Sequence, residues 1–217
     1  RCVGGRRDLA LPVDSRVGAG LARAYRDGPY EAQGWLAVMA GSGPYVGRWL
    51  EKHAPWVLDQ WQDMPEEAVA AAMVLEGDIG PALRIAKGRV ALVLALCDLS
   101  HIRDMDWVTD KLTRFADFAV ESALDAELRV MVDRGKLDGA ALNDGAAAGV
   151  FVLAMGKMGA HELNYSSDID LIFLFDDTQY PVDEVAAYRS MFVTVPRTVF
   201  ALFSNATCCW SLLATAF

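Results

Sequence analysis

The chain has 217 residues, of which 53% are hydrophobic and 23% charged. At about 150 residues per domain this is one large domain or two small ones, and it excludes a disordered tail, a collagen-like repeat and a disulfide-dense miniprotein. Lys and Arg number 20 against 29 Asp and Glu, a net charge of −9, the wrong sign for a protein that binds by neutralising phosphate backbones. An acidic chain can still handle a nucleotide when divalent metal joins the site, so where the acids sit matters more than their number.

Up to about Arg134 the signals are helical. Gly28-Pro29, Gly43-Pro44 and Ala54-Pro55 read as turns. Asp63, Pro65, Glu66 and Glu67 form a helix start ahead of the run from Ala68, because Pro lacks only an orphan N–H there and acids suit the dipole. Arg84 to Leu99 is apolar nearly all round, which predicts a helix buried in a bundle. Leu112, Phe115 and Ala119, then Val120, Leu124, Leu128 and Met131, recur at helical spacing, and Gly135 follows as a C-cap. Trp35, Trp49, Trp56, Trp61 and Trp107 read as core packing rather than a ligand box. His53 and His101 are isolated and read as core or surface residues, not ligands.

The character changes after Gly135. Leu137 to Gly149 reads as a small-residue loop, and Val150 to Met155 as a strand. A glycine turn follows, Gly156-Lys157-Met158-Gly159, and then a second strand-like run from Asp168 to Phe175. That run is β-branched and aromatic, the composition of a buried strand, and Asp176, Asp177 and Pro181 end it. Asp183 to Phe203 reads as one helix broken or kinked at Pro196. The predicted organisation is a helical region over residues 1–134 and a smaller α+β core over 135–217.

Cys2, Cys97 and Cys208-Cys209 show no metal-ligand spacing and read as reduced thiols in a cytoplasmic protein. The N-terminus, with Arg1, Arg6, Arg7 and Asp8, lacks the apolar stretch of a signal peptide. Thr198 to Phe217 carries no charge, but Ser204, Asn205, Thr207 and Ser211 interrupt it and no basic flank closes it, so no membrane span is expected.

The chemistry concentrates in one block. Strand alternation puts Asp168 and Asp170 on one face, about 6.6 Å apart along the chain, with Ile169, Leu171 and Phe173 on the other. Two carboxylates so placed repel each other unless cations lie between them. Hard divalent ions such as Mg²⁺ accept carboxylate oxygens and leave room for phosphate, and two such ions can clamp both oxygens of an in-line displacement. Gly156 and Gly159 let backbone N–H groups approach an anion, and Lys157, Ser166 and Ser167 are natural further phosphate contacts. A D-x-D pair also serves phosphatases of the haloacid-dehalogenase type, but there the nucleophilic Asp ends a hydrophobic strand, whereas here the pair begins one.

The order strand, Gly-x-x-Gly, spacer, Ser-Asp-x-Asp, strand is the layout of the polymerase-beta-type nucleotidyltransferase core. The block Gly156-Lys157-Met158-Gly159-Ala160-His161-Glu162-Leu163-Asn164-Tyr165-Ser166-Ser167-Asp168-Ile169-Asp170-Leu171-Ile172-Phe173 resembles the signature of the glutamine synthetase adenylyltransferase/adenylyl-removing family. Leu83-Arg84 through Leu99, and Ser42-Gly43-Pro44-Tyr45, are similar to earlier family segments. The family carries two copies of the core, and Asn164-Tyr165-Ser166-Ser167 with Ile169 resembles the N-terminal, adenylyl-removing one.

The resemblance implies phosphorolysis of adenylyl-tyrosine on glutamine synthetase with release of ADP, in an enzyme whose other copy adenylylates from ATP. It implies Mg²⁺ on Asp168 and Asp170, glutamine synthetase and a PII-type nitrogen signal protein as partners, and neither nucleic acid nor membrane. Two departures stand out. Ala160 replaces a usual second glycine, and no Asp or Glu occurs from Val185 to Phe217, where the family places a third carboxylate in an Asp-Leu-Arg-Leu-Arg-Pro stretch. After Ser204 the resemblance stops, which a frameshift, a truncation or divergence would each explain. A catalytically inactive or regulatory fragment is therefore the competing reading.

Overall fold

The computed structural model describes residues 44–60, 65–99, 101–145, 147–165, 167–204 and 212–216. In chain order they form α1 (Pro44–Gln60), α2 (Pro65–Ala72), α3 (Ile79–Leu99), α4 (Met105–Asp133) and two short 3-10 segments (Gly139–Gly145, Ala147–Gly149). Then come β1 (Val150–Met155), a single helical turn α5 (Gly156–Gly159), β2 (Ile169–Phe175), a 3-10 turn (Asp177–Gln179), α6 (Val185–Phe192), α7 (Val195–Ser204) and β3 (Leu212–Ala216). The fold is α+β: helices combine with a small mixed sheet in the order β1-β2-β3, antiparallel between β1 and β2 and parallel between β2 and β3. The chain divides into two compact units, residues 1–74 with 85–111 and residues 75–84 with 112–217.

In the first unit, Leu50, His53 and Val57 recur on one face of α1 and are all buried. Ala54-Pro55, expected as a turn, lies inside this helix. Pro55 cannot donate to the carbonyl four residues back, at a cost of about 3 kcal/mol. Burial of Leu50 and Val57, worth roughly 1.5–3 kcal/mol each, offsets that loss. Pro44 opens the helix, a position where its missing N–H does no harm. Glu66 and Glu67 fill the first turn of α2 as expected, and both carboxylate oxygens of Glu66 accept from Arg103 at 3.0 Å. Every residue of α3 from Val90 to Cys97 is buried, which bears out the all-round apolar reading. Cys97 is a free thiol, and burial pushes its pKa up to about 12. Cys2, Cys208 and Cys209 lie outside the described residues.

Trp49, Trp56 and Trp107 are half-buried rather than enclosed in core. Cations accompany two of them: the Arg89 guanidinium lies 4.7 Å from the Trp56 ring centroid, and Arg103 and Lys111 lie 5.5 and 5.7 Å from that of Trp107. The Arg89–Trp56 pairing joins residues far apart in sequence, whereas Arg103 and Lys111 lie four residues to either side of Trp107. Trp35 and Trp61 lie outside the described residues.

His101 is exposed, while His53 is buried and stacks on Trp49 with ring centroids 5.3 Å apart. Burial, assisted by the charges of Lys52 and Arg89, lowers the His53 pKa from 6.5 to about 4. Below pH 6.5 the unfolded chain therefore binds a proton that the folded one refuses, and stability is lost as pH falls from 6.5 towards 4. Between pH 7 and pH 5 the loss from this group is about 2 kcal/mol. Denaturant titrations of wild type and His53→Gln at both pH values should show that difference shrinking in the variant. An unchanged difference would remove His53 as its source.

In the second unit, Leu112, Phe115, Ala119, Val120, Leu124, Leu128 and Met131 line the buried face of α4, as their spacing predicts. Gly135 ends the helix at φ 65. Its N–H donates to Val132 O at 2.8 Å and the Lys136 N–H to Met131 O at 2.9 Å, the paired bonds of a Schellman cap. β1 and β2 fall where the sequence placed them. Ile169, Leu171 and Phe173 are buried on one sheet face; on the other, Phe151, Leu153 and Met155 are 49, 45 and 46% exposed. The Asp176 carboxylate ends β2 by accepting from the Thr178 N–H and hydroxyl and from Gln179, bonds that hold it below the usual carboxylate range.

The single helix expected over Asp183 to Phe203 is two helices that part at Val193-Thr194, ahead of Pro196. Pro196 is the second residue of α7, where its missing N–H has no intrahelical partner to lose, so it opens a helix instead of kinking one. Among the described residues no helix is long and apolar enough to cross a membrane. The uncharged stretch from Thr198 enters both α7 and β3.

Candidate functional site

The site is built at one end of the β1–β2 pair. Asp170 lies on β2 directly opposite Met155, the last residue of β1. Gly156 therefore begins its turn beside the Asp170 carboxylate, and a Cβ on Gly156 would sit 3.4 Å from Asp170 Oδ2. Gly156 adopts φ 57, the left-handed region that glycine enters without strain. Asp168 is exposed immediately before β2, and Asp170 is half-buried on the face opposite Ile169 and Leu171, as strand alternation requires.

The Asp170 backbone is paired in the sheet, and its carboxylate makes no hydrogen bond or ion pair with any described residue. The two carboxylates supply hard oxygen donors of the kind Mg²⁺ takes. Among the described residues no three His, Cys, Asp or Glu side chains gather at one place. The donor set thus fits a hard divalent ion through two carboxylates, with the remaining positions left to water or phosphate oxygen.

The glycine turn is a single turn of helix, α5, closed by a second Schellman pattern. The His161 N–H donates to Met158 O at 3.1 Å and the Glu162 N–H to Lys157 O at 2.8 Å. His161 takes the left-handed position of this cap at φ 58, where glycine is usual. Lys157 is exposed on the turn. Gly159 has a packing reason to be glycine: a Cβ there would come within 2.4 Å of the Ala154 carbonyl oxygen. Ser167 is buried, and its Oγ accepts from the Asn164 N–H at 3.2 Å. Ser166 lies outside the described residues.

One residue of this neighbourhood left no trace in the sequence. Thr113 on α4 is wholly buried and its Oγ1 accepts from the Leu163 N–H at 3.3 Å, across 50 residues of chain. No local pattern marks so distant a pairing.

A profile of the glutamate-ammonia ligase adenylyltransferase family matches residues 36–212. The chain belongs to that family. It is 44% identical over 166 residues to the bifunctional glutamine synthetase adenylyltransferase/adenylyl-removing enzyme of Caulobacter vibrioides, covering 70% of this chain and 16% of that one. It is 31% identical over 218 residues to the enzyme of the same name from Mesorhizobium japonicum, covering 93% of this chain and 22% of that one. A further such enzyme, from Bradyrhizobium sp. strain BTAi1, is 41% identical over 137 residues, 63% of this chain and 14% of the relative. The chain therefore spans about a seventh to a fifth of the length of the curated relatives it matches. The family membership expected from the Gly156–Phe173 block is borne out.

Proposed function

We propose that this segment carries the carboxylate pair of a metal-dependent nucleotidyl-transfer site that removes AMP from an adenylylated tyrosine of glutamine synthetase. The observation that carries the reading is the juxtaposition of Gly156 with Asp170: a backbone that anions can approach, held against a carboxylate that no described residue partners. Asp168 and Asp170 would hold Mg²⁺, which when bound offsets charge on phosphate oxygens. The N–H groups of the Gly156–Gly159 turn and the Lys157 ammonium would orient the phosphates, with Ser166 as a further contact, while Ser167, buried and bonded to the Asn164 N–H, would shape the loop instead. In the reaction an oxygen of inorganic phosphate attacks the AMP phosphorus. The bond to the tyrosine oxygen breaks, and ADP and the tyrosine phenol form, the phenol taking up a proton. Phe151, Leu153 and Met155 are exposed on the sheet face that Asp170 shares. Glutamine synthetase, a PII-type signal protein, ATP and a cytoplasmic setting belong to this reading as properties of the whole enzyme.

The absence of acidic residues after Glu184 favours a second reading, in which the segment alone is catalytically inactive. Both are tested by incubating adenylylated glutamine synthetase with Mg²⁺ and phosphate, using this chain and a form extended by the family's Asp-Leu-Arg-Leu-Arg-Pro strand. Phosphate-dependent ADP from the extended form supports removal by phosphorolysis. ADP from that form alone adds that the segment is inactive by itself. AMP as the product, or no product from either form, would overturn the proposal.

A further inference from the structure

Resting on that reading, we propose that Thr113 is a positioning residue for the Asp168/Asp170 pair. The loop of residues 160–168 joins the glycine turn to the first carboxylate, and it is tied at both ends. At one end the Glu162 N–H reaches back to Lys157 O and closes the turn that sets Gly156 against Asp170. At the other, the Asn164 N–H donates to Ser167 Oγ and the Ser167 N–H returns to Asn164 O at 3.2 Å, so the backbone enters Asp168 from a closed turn.

Between these two ties stands Leu163. Its side chain is wholly buried and its N–H is held by Thr113 Oγ1. That bond fastens the loop to α4, the longest helix among the described residues, whose neighbouring residues Leu112, Phe115 and Ala116 are core. Asp117, one turn further along α4, is also close enough to the loop for the His161 charge to act on it. His161 itself sits in the left-handed region, a conformation of order 1 kcal/mol or more above the alternatives that persists only where the surroundings dictate it. Thr113 supplies part of that dictation. It acts through the loop, as outer-shell partners of metal ligands do.

The test measures Mn²⁺ binding, by calorimetry or by the loss of the free-ion paramagnetic resonance signal, on the 217-residue chain at a temperature where each variant is folded. Thr113→Val keeps the shape and removes the acceptor, and Thr113→Ser keeps the acceptor. Thr113→Val should weaken Mn²⁺ binding about tenfold, and Thr113→Ser should stay within about twofold of wild type. Leu128→Ala, on the buried face of the same helix, should lower the melting temperature without changing Mn²⁺ affinity. Equal affinity in Thr113→Val and wild type would overturn the proposal, as would a loss matched by Leu128→Ala.

Should Thr113→Val fail to fold, the wild type alone decides. If Thr113 couples the loop to the carboxylates, saturating Mn²⁺ must slow exchange of the Leu163 amide, because coupling is reciprocal. Unchanged exchange would contradict it. A wild type that binds no Mn²⁺ would instead defeat the metal reading itself, a failure visible before any variant is made.

Discussion

Asp170→Asn is expected to lower nucleotidyl transfer by about two to three orders of magnitude in the family-length protein that carries this segment, while melting within about 2 °C of wild type. The rate loss follows from the role of the carboxylate. Withdrawing one anionic ligand from a site that stabilises phosphoryl charge removes about 3–4 kcal/mol of transition-state stabilisation, and each 1.36 kcal/mol is tenfold in rate. The small stability change follows from its surroundings. Asp170 is half-buried and no described residue bonds to its side chain, so an isosteric amide leaves no described partner stranded. Removing one of two nearby like charges also relieves repulsion. Initial rates of ADP release, measured beside a thermal melt, check both halves. A variant that retains its rate would show that Asp170 is not a ligand, and one that unfolds would show that its role is structural.

Gly88→Ala is expected to destabilise the first unit by about 3 kcal/mol. Gly88 is buried in the interior of α3, where alanine would ordinarily gain about 1 kcal/mol in helix propensity. Packing decides the sign. A Cβ at this position would lie 2.0 and 2.1 Å from two carbons of the Trp49 ring. A rigid indole cannot absorb such an overlap by flexing, so Trp49 must leave its place and give up its stack on His53. A melting temperature lower by roughly 6–12 °C is expected for a chain of this size. Trp49→Leu in the Gly88→Ala background should recover part of the loss, since the smaller side chain vacates the contested space. Gly88→Ala with wild-type stability would mean that the close approach of α1 and α3 at this point is wrong.

The sequence carried the strand-bearing half of the fold well because its signals there are local and mutually consistent. Val150–Met155 and the run into Phe175 are short, apolar and β-rich, and each is bounded by glycine or acidic punctuation, so both strands are legible. The alternation that puts Asp170 on the face opposite Ile169 and Leu171 is also a local property. The long α4 helix was legible for the same reason, from Leu112 through Met131 to the Gly135 cap.

What escaped was whatever tertiary burial decides. Pro55 looks like a break until Leu50, His53 and Val57 are seen buried on one face of an unbroken helix. Pro196 looks like a kink until the helix is seen to begin at Val195. The cation on Trp56, the parallel pairing of Leu212–Ala216 with β2 and the Thr113–Leu163 bond all join segments that no window of sequence contains.

Everything proposed for the site depends on a divalent ion held by Asp168 and Asp170, and one titration tests that most directly. Mn²⁺, which shares the preference of Mg²⁺ for carboxylate oxygen, is titrated into the wild-type chain and into the Asp168→Asn/Asp170→Asn double variant, with circular dichroism confirming that both are folded. Saturable binding by the wild type that disappears in the double variant is the expected result. Binding that survives in the double variant, or a folded wild type that takes up no Mn²⁺, would contradict it.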